Sequence, residues 1–345
     1  MKVQCVGLMS RPGNDGVPGP EHFQLLEKDL STDLEEGEVL VRTLYLSVDP
    51  YMRCRMNHET GAEYLAPWPL HASAEGGGVG EVVRSRSSSV EERALVTSFT
   101  WPWQTYAVMQ GERLQQVDPS LVGDHVSYLL GAVGMPGLTS LFGVRDKGHV
   151  TRGQTMVVSG AAGACGSIAG QIGRLDGCSS VVGICGSSEK CKVVVERLGF
   201  TAAINYREEV VEEVLKRCCP QGVHLYFDNV GGAISDDVIA QMCVGGRVVL
   251  CGQISQYNRD VPYPPPLSER TQQILRDRTI VRERFMVLNY SDRFRSGLTE
   301  LSHMVHSGDL QVLETVVNGI ENMGAAFCSM MKGGNVGKMI VKISD

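Results

Sequence analysis

Two hydrophobic rhythms divide the chain. From about residue 124, short apolar runs of strand length alternate with longer stretches whose apolar residues recur at helical spacing. The runs lie at 155–159, 181–184, 202–205, 223–227, 247–251 and 279–287. The helical stretches lie at 165–176, 189–198, 210–217, 234–242 and 268–276, with a further one at 126–144 interrupted by Pro136. Strands alternating with helices of this length predict a parallel sheet covered on both faces. The earlier residues keep only the shorter rhythm, with strands expected at 39–46, 78–83, 95–99 and 106–109 between Gly, Pro and charged turns. A small β-barrel is expected there. The tail after Gly308 reads strand, helix, strand (314–318, 323–331, 338–343) and is expected to return to the first domain. The expected α/β organisation is a β-barrel domain over 1–123, a doubly wound parallel-sheet domain over 124–307 and a returning tail over 308–345.

The first strand of the alternating part ends in glycines: Thr155-Met-Val-Val-Ser-Gly160-Ala-Ala-Gly163-Ala-Cys-Gly166, after which a helical pattern opens. A strand, a tight turn and a helix in this order aim free helix amides at a phosphate. In that context the spacing Gly160-x-x-Gly163-x-x-Gly166 predicts dinucleotide binding rather than a merely structural turn. About 25 residues later, where an NAD site holds Asp or Glu against the ribose hydroxyls, the chain reads Gly186-Ser-Ser-Glu-Lys190. Small hydroxyls and a lysine suit a 2′-phosphate, so the expected cofactor is NADPH. A cation in the first turn of a helix opposes the helix dipole, and a phosphate partner would explain it. Two further turns, Tyr226-Phe-Asp-Asn229-Val-Gly-Gly and Cys251-Gly-Gln-Ile-Ser-Gln-Tyr257, each follow a strand. They are expected at the same carboxyl edge of the sheet, where ligands of doubly wound folds lie. The run Gly76-Gly-Gly-Val-Gly80 leads into Glu81-Val-Val, so a Gly-bent strand is expected there and not a second phosphate loop. Tyr263-Pro-Pro-Pro266 reads as a stiff loop at the edge of the cofactor site.

Composition narrows the partners. The 345 residues carry a net charge of −7, with 43% hydrophobic and 21% charged residues. That balance argues against a nucleic-acid partner held through its phosphates, and the arginine-rich stretch 269–284 reads as a solvated helix and strand with balancing acids. No apolar run reaches the roughly 18 residues of a membrane span, and the start Met1-Lys-Val-Gln-Cys-Val-Gly lacks the apolar core of a signal peptide. Eleven cysteines, several at strand or turn positions (Cys165, Cys185, Cys251), fit reduced thiols and a cytoplasmic location. A monomer and a homodimer both remain open. His303-x-x-His306 has helical spacing but no third ligand nearby, and Cys218-Cys219 face different ways, so no metal is expected. No Tyr-x-x-x-Lys pair offers a proton relay for alcohol oxidation. Hydride addition to a conjugated enone asks less, because the developing enolate oxygen needs only hydrogen-bond donors such as tyrosine and ribose hydroxyls.

The chain resembles the zinc-independent medium-chain dehydrogenase/reductase superfamily, and within it the leukotriene/prostaglandin reductase branch. The likeness rests on Arg42-Thr-Leu-Tyr-Leu-Ser-Val-Asp-Pro-Tyr-Met-Arg53, Phe99-Thr-Trp-Pro-Trp-Gln104, Gly134-Met-Pro-Gly-Leu-Thr-Ser140 and the glycine turn. It continues through 251–266, Arg282-Glu-Arg-Phe-Met-Val-Leu-Asn-Tyr290 and Gly333-Gly-Asn-Val-Gly-Lys338, along essentially the whole chain. Zinc-dependent relatives carry a cysteine ligand near Ser47 and a Gly-His-Glu motif, and both are absent. The resemblance implies a GroES-like β-barrel domain plus a Rossmann domain, NADPH as cofactor, and reduction of the 13,14 double bond of a lipid substrate, a 15-oxoprostaglandin. It implies NADPH contacts from Gly163, Ala164, Cys165, Gly166, Lys190, Tyr206, Asn229, Cys251, Gly252, Gln253, Ile254, Ser255, Gln256, Tyr257 and Asn335. It implies substrate contacts from Phe99, Thr100, Tyr51, Phe285, Met286 and Val287, with Tyr64 and Tyr257 at the polar groups as the catalytic hydroxyls. Thr100 is a departure, since an aromatic residue is common there in the family. Reduction of leukotriene-derived ketones or lipid enals, and NADPH binding without turnover, are the alternatives.

Overall fold

The structure, a computed structural model, describes residues 1–61, 65–262 and 264–344. They fall into two units: Met1–Leu130 with Tyr257–Asp260 and Glu314–Asp345, and Gly131–Gln256 with Val261–Leu313.

The first unit opens on a hairpin that the hydrophobic pattern does not signal: β1 (Lys2–Leu8) pairs antiparallel with β2 (Phe23–Asp29). Most β2 side chains are exposed, so its sequence carries little alternation. β3 (Glu38–Ser47) leads into one helical turn, α1 (Met52–Arg55). β4 (Glu75–Ser85), β5 (Leu95–Pro102), β6 (Tyr106–Gln110) and the short β7 (Gln115–Gln116) complete an antiparallel, barrel-like sheet around β3. The glycine run lies inside β4. A Cβ on Gly78 would stand 2.3 Å from Trp101 Cγ, and one on Gly80 would stand 2.6 Å from Trp101 Cζ2 and 2.2 Å from the Arg42 carbonyl. The missing side chains admit the fully buried Trp101. Its indole Nε1 donates to Thr43 Oγ1 at 2.8 Å, and Thr43 donates in turn to the Gln104 carbonyl at 2.6 Å.

In the second unit Gly134 and Pro136 split the helix expected over 126–144. A 3-10 stretch (Val126–Leu130) closes the first unit's opening segment, and α2 (Met135–Phe142) is the first helix of the second with Pro136 in its first turn, where a missing N–H costs nothing. The alternating part follows: β8 (Thr155–Ser159), α3 (Ala164–Leu175), β9 (Ser180–Cys185), α4 (Ser188–Glu196), β10 (Ala202–Asn205) and α5 (Val211–Cys218). Then come β11 (Val223–Asp228), α6 (Gly232–Ala240), β12 (Met242–Leu250), α7 (Glu269–Asp277) and β13 (Val281–Arg284). The strands are parallel in the order β10-β9-β8-β11-β12-β13. This is the doubly wound Rossmann sheet, with its order reversing between β8 and β11. Val157, Val182, Ile184, Ile204 and Tyr226 pack with Leu215, Val238 and Ile239 to cover one face.

Two expectations need correction here. The last strand is four residues and not the nine expected over 279–287: Thr279 turns with φ 48°, and the chain leaves β13 before Phe285. A helix that the pattern did not signal, α8 (Phe294–His306), follows. Gly297 interrupts its apolar spacing because α8 lies close on α2, where a Cβ would come 2.6 Å from Leu138 Cδ2.

The tail adds β14 (Glu314–Asn318), α9 (Met323–Met331) and β15 (Lys338–Lys342) to the first unit. β15 pairs antiparallel with β3, Ile340 opposite Ser47, and β14 pairs parallel with β15. Among the described residues no helix is long and apolar enough to cross a membrane, and all eleven cysteines are free.

Candidate active site

The crevice of the second unit's sheet lies where its strand order reverses, and the glycine turn occupies it. Gly160 turns with φ 59°, and a Cβ on Gly166 would fall 2.3 Å from the Gly160 carbonyl. The helix can therefore start against the turn only with glycine at that position. No side chain caps the N-terminus of α3 at Gly163, so the amides of Ala164, Cys165 and Gly166 point out of the helix with its positive dipole end behind them.

Beside this turn, at the end of β11, the fully buried Asp228 organises the neighbouring loops. Its Oδ1 accepts from the Tyr226 hydroxyl (2.9 Å), Ser159 Oγ (3.2 Å) and the amides of Val230 (3.1 Å) and Gly231 (2.9 Å). Its Oδ2 accepts from Ser235 Oγ at 2.5 Å. Burial, first, and the Asp228 charge push the Tyr226 phenol well above its usual range. Asn229 is fixed on β8: its amide donates to Ser159 Oγ (3.0 Å) and its Nδ2 to the Ser159 carbonyl (2.8 Å). The loop after β12 is tied to the same turn. The amides of Cys251 and Gly252 donate to the Asp228 carbonyl, that of Ile254 to Asn229 and that of Ser255 to Val230. Gln253 is buried, and Gln256 Nε2 donates to Ser255 Oγ at 2.8 Å. The Cys165 and Cys251 thiols meet across this site; their hydrogen bond and burial raise Cys251 far above a reactive thiol's range. Of the residues expected on the cofactor, Gly163 to Gly166, Asn229 and Cys251 to Gln256 thus converge.

Lys190 and Tyr206 form a second group beyond β9 and β10. Ser187 caps α4 by accepting the Lys190 amide at 3.3 Å, which leaves the ammonium at the helix's positive end. Burial holds that ammonium below the usual lysine range; Cys185 and Glu189 pull it up and Arg207 pushes it further down. Arg207 was not among the expected site residues. It follows β10 directly, its guanidinium lies 5.8 Å from the Tyr206 ring centre, and the Tyr206 hydroxyl lies against Gly186. Two cations and a serine cap at the end of the second strand fit the 2′-phosphate of NADPH. The sequence signal for Arg207 was its place two residues past a strand end.

The remaining expected residues are carried by other elements. Tyr257 belongs to the first unit with Asn258, Arg259 and Asp260. Tyr51 stands half-buried at the start of α1. The loop that carries it is anchored by the buried Lys338, whose Nζ donates to the Val48 carbonyl (2.6 Å) and pairs with Asp49 (3.1 Å). Asn335 closes its own turn, donating to the Gly337 carbonyl at 2.7 Å. On β5, Phe99 is 52% exposed, and the Thr100 amide donates to Ser98 Oγ. Phe285 is buried in the second unit against Tyr290, which stacks on Phe142, while Met286 and Val287 are half-buried. Tyr64 and Tyr263 lie outside the described residues. His303 and His306 sit on α8, where His306 Nδ1 meets the Ser302 carbonyl at 2.8 Å. Among the described residues no three His, Cys, Asp or Glu side chains are grouped to hold a metal ion.

Residues 5–117 match a family model described as the N-terminal domain of oxidoreductase, and residues 164–302 one described as zinc-binding dehydrogenase. Rat (Rattus norvegicus) prostaglandin reductase 1 is 39% identical over 343 residues, covering 95% of this chain and 96% of the relative. The chain belongs to the zinc-independent medium-chain dehydrogenase/reductase superfamily. Another member, the NADPH-dependent curcumin reductase of Escherichia coli, is 35% identical over 98% of this chain and 96% of its own. A crystal structure of CurA from Vibrio vulnificus in complex with NADPH superposes with a TM-score of 0.89 at 36% identity, covering 99% of both chains. As a member of this superfamily the chain is an NADPH-dependent oxidoreductase, and the uncapped α3 amides and the Lys190–Arg207 pair are the features of its own that fit that cofactor.

Proposed function

We propose that the chain reduces the conjugated 13,14 double bond of 15-oxoprostaglandins such as 15-oxo-prostaglandin E2, the activity of a prostaglandin reductase 2. The observation that carries this reading is the likeness to prostaglandin reductase 1 along nearly the whole chain. NADPH, when bound, supplies the hydride that adds to the β-carbon of the enone. The first amides of α3, at Ala164, Cys165 and Gly166 beside Gly163, hold the pyrophosphate. Lys190 and Arg207 neutralise the 2′-phosphate, with Tyr206 beside them. Asn229, the 251–256 loop and Asn335 orient the nicotinamide half.

Hydride addition moves negative charge onto the substrate's carbonyl oxygen, and a donor aimed at that oxygen lowers the barrier. Tyr257 is assigned this role, with Tyr64 as the second hydroxyl. A neutral phenol donates to the enolate without itself having to ionise. The α-carbon then takes a proton from solvent or a hydroxyl. The exposed Phe99 with Thr100, Tyr51, Met286 and Val287 supplies apolar surface for the acyl chains, and Phe285 supports it from the core. The free cysteines fit a cytoplasmic setting.

Loss of reduced-nicotinamide absorbance tests the reading, with 15-oxo-prostaglandin E2 as substrate and NADPH or NADH as reductant. Fast loss with NADPH and slow loss with NADH is expected. A second reading, reduction of a non-prostanoid enone, draws on the likeness to the curcumin reductase. Faster turnover of an alkenal or of curcumin than of the 15-oxoprostaglandin would favour it. Tight NADPH binding with no turnover of any enone would point to a binding protein.

A further inference from the structure

Arg53 is completely buried on α1, yet among the described residues no carboxylate pairs with it in an ion pair. Among the described residues every hydrogen bond of its guanidinium goes to a neutral oxygen. Nε donates to Asn258 Oδ1 at 2.8 Å and Nη1 to Asn57 Oδ1 at 2.6 Å. Nη2 donates to the carbonyls of Gly13 (2.7 Å), Asn14 (3.2 Å) and Gly16 (2.9 Å). Enclosing a cation without a counter-charge is costly, and here burial holds the guanidinium below its usual range. What the residue provides in return is five donors in one rigid plane, enough to join three separate segments.

One of those segments is Tyr257–Asp260, where the chain leaves the second unit for four residues. The loop at 13–16 grips its far end: the Asp260 amide donates to Asp15 Oδ1 at 2.6 Å, and Asn14 Nδ2 donates to Asp260 Oδ1 at 3.2 Å. The segment is therefore held at Asn258 by Arg53 and at Asp260 by the loop that Arg53 itself organises.

We propose that Arg53 is a positioning residue for Tyr257: acting through Asn258 and the 13–16 loop, it fixes the segment that presents the phenol to the substrate's carbonyl oxygen. This rests on the catalytic role given to Tyr257 above. A hydroxyl displaced by about an ångström from a developing oxyanion loses much of its effect on rate.

The test is a double-mutant cycle on the full chain, with 15-oxo-prostaglandin E2 as substrate. Asn258→Ala removes the acceptor without disturbing the rest of the guanidinium network. Its kcat should fall about tenfold with NADPH Kd unchanged, while the buried Nε left without its acceptor lowers the thermal midpoint by an amount that is the same in both Tyr257 backgrounds. In a Tyr257→Phe background the same substitution should cost little further. Asn258→Asp restores an oxygen acceptor and should recover most of kcat, and Arg53→Lys should reproduce the Asn258→Ala loss. An equal loss from Asn258→Ala in both backgrounds overturns the positioning role and leaves Tyr257 as the donor. Full activity of Tyr257→Phe, or no turnover by the unaltered chain, overturns the reading of Tyr257 and the positioning role with it.

Discussion

Replacing Lys190 by alanine should separate the two nicotinamide cofactors. The ammonium is half-buried, held below its usual pKa first by burial and also by Arg207, so it sits where an anion would relieve an existing electrostatic cost. A 2′-phosphate brings about −1.5 to −2 charges. A charge-assisted hydrogen bond in such a setting contributes about 1.5–3 kcal/mol, or roughly 10- to 140-fold in NADPH Kd. NADH has no phosphate there, so its Kd should stay the same or improve slightly as the repulsion from Arg207 is relieved. Arg207 is exposed, and Arg207→Ala should weaken NADPH by about fivefold at most, an effect that fades with added salt. The fold offers its own control. The bond from the Lys190 amide to the Ser187 cap is backbone and survives, and losing a cation from the first turn of α4 favours the helix dipole. The thermal midpoint should therefore not fall. Titration of both cofactors, followed by nicotinamide fluorescence or calorimetry, gives the answer. Equal weakening of NADPH and NADH, or no weakening of either, would refute the phosphate argument.

Three other substitutions probe the scaffold. Gly80→Ala puts a methyl against Trp101 and the Arg42 carbonyl, and should cost about 1–3 kcal/mol, read from denaturant unfolding by tryptophan fluorescence. Asp228→Ala strands the donors of Tyr226, Ser159, Val230, Gly231 and Ser235, and should cost about 3 kcal/mol or more and weaken cofactor binding; a variant as stable as the parent would remove Asp228 as the organiser of the site. Burial raises the Glu314 pKa, opposed by the bond from Ser127 and by the charges of Lys338 and His125. A raised folded pKa means stability that is present below the ordinary Glu value and lost as pH rises through the folded one. Glu314→Gln should therefore have little effect on the thermal midpoint near pH 4 and raise it at pH 7–8; a constant difference across that range would contradict the burial argument.

What could be read from the sequence followed the physics of burial. Thr155–Ser159 and Met323–Met331 stand where the hydrophobic rhythm placed them, because a strand buried along its whole length and a helix packed on one side leave a strong pattern; the less buried Ala202–Asn205 and the partly exposed Glu314–Asn318 were still legible as short apolar runs. The exposed β2 and the glycine-interrupted α8 leave a weak one and were missed. The glycine turn and Lys190 were legible because strand, turn and helix adjoin in sequence. Arg53 acts through partners brought near by the fold, such as Asn258, 205 positions away, and Asp228 reaches Ser159, 69 positions away. No local pattern encodes such a partnership, and an aspartate closing an apolar run looks like ordinary turn chemistry; Arg207 had only its place two residues past a strand end to mark it.

The pairing of β15 with β3 has a consequence for the order in which the protein is made. Ile340 meets Ser47, so the sheet of the first unit lacks two strands and the Lys338–Asp49 ion pair until Lys342 has been synthesised. By then every residue of the second unit is already available, and domains fold as units during synthesis. The nascent chain thus completes the nucleotide-binding half first, while Tyr45–Ser47 of β3 wait for β15. Loss of β15 would leave the nucleotide-binding half intact and the first unit open at Tyr45–Ser47, a surface on which chaperones or a neighbouring chain could pair.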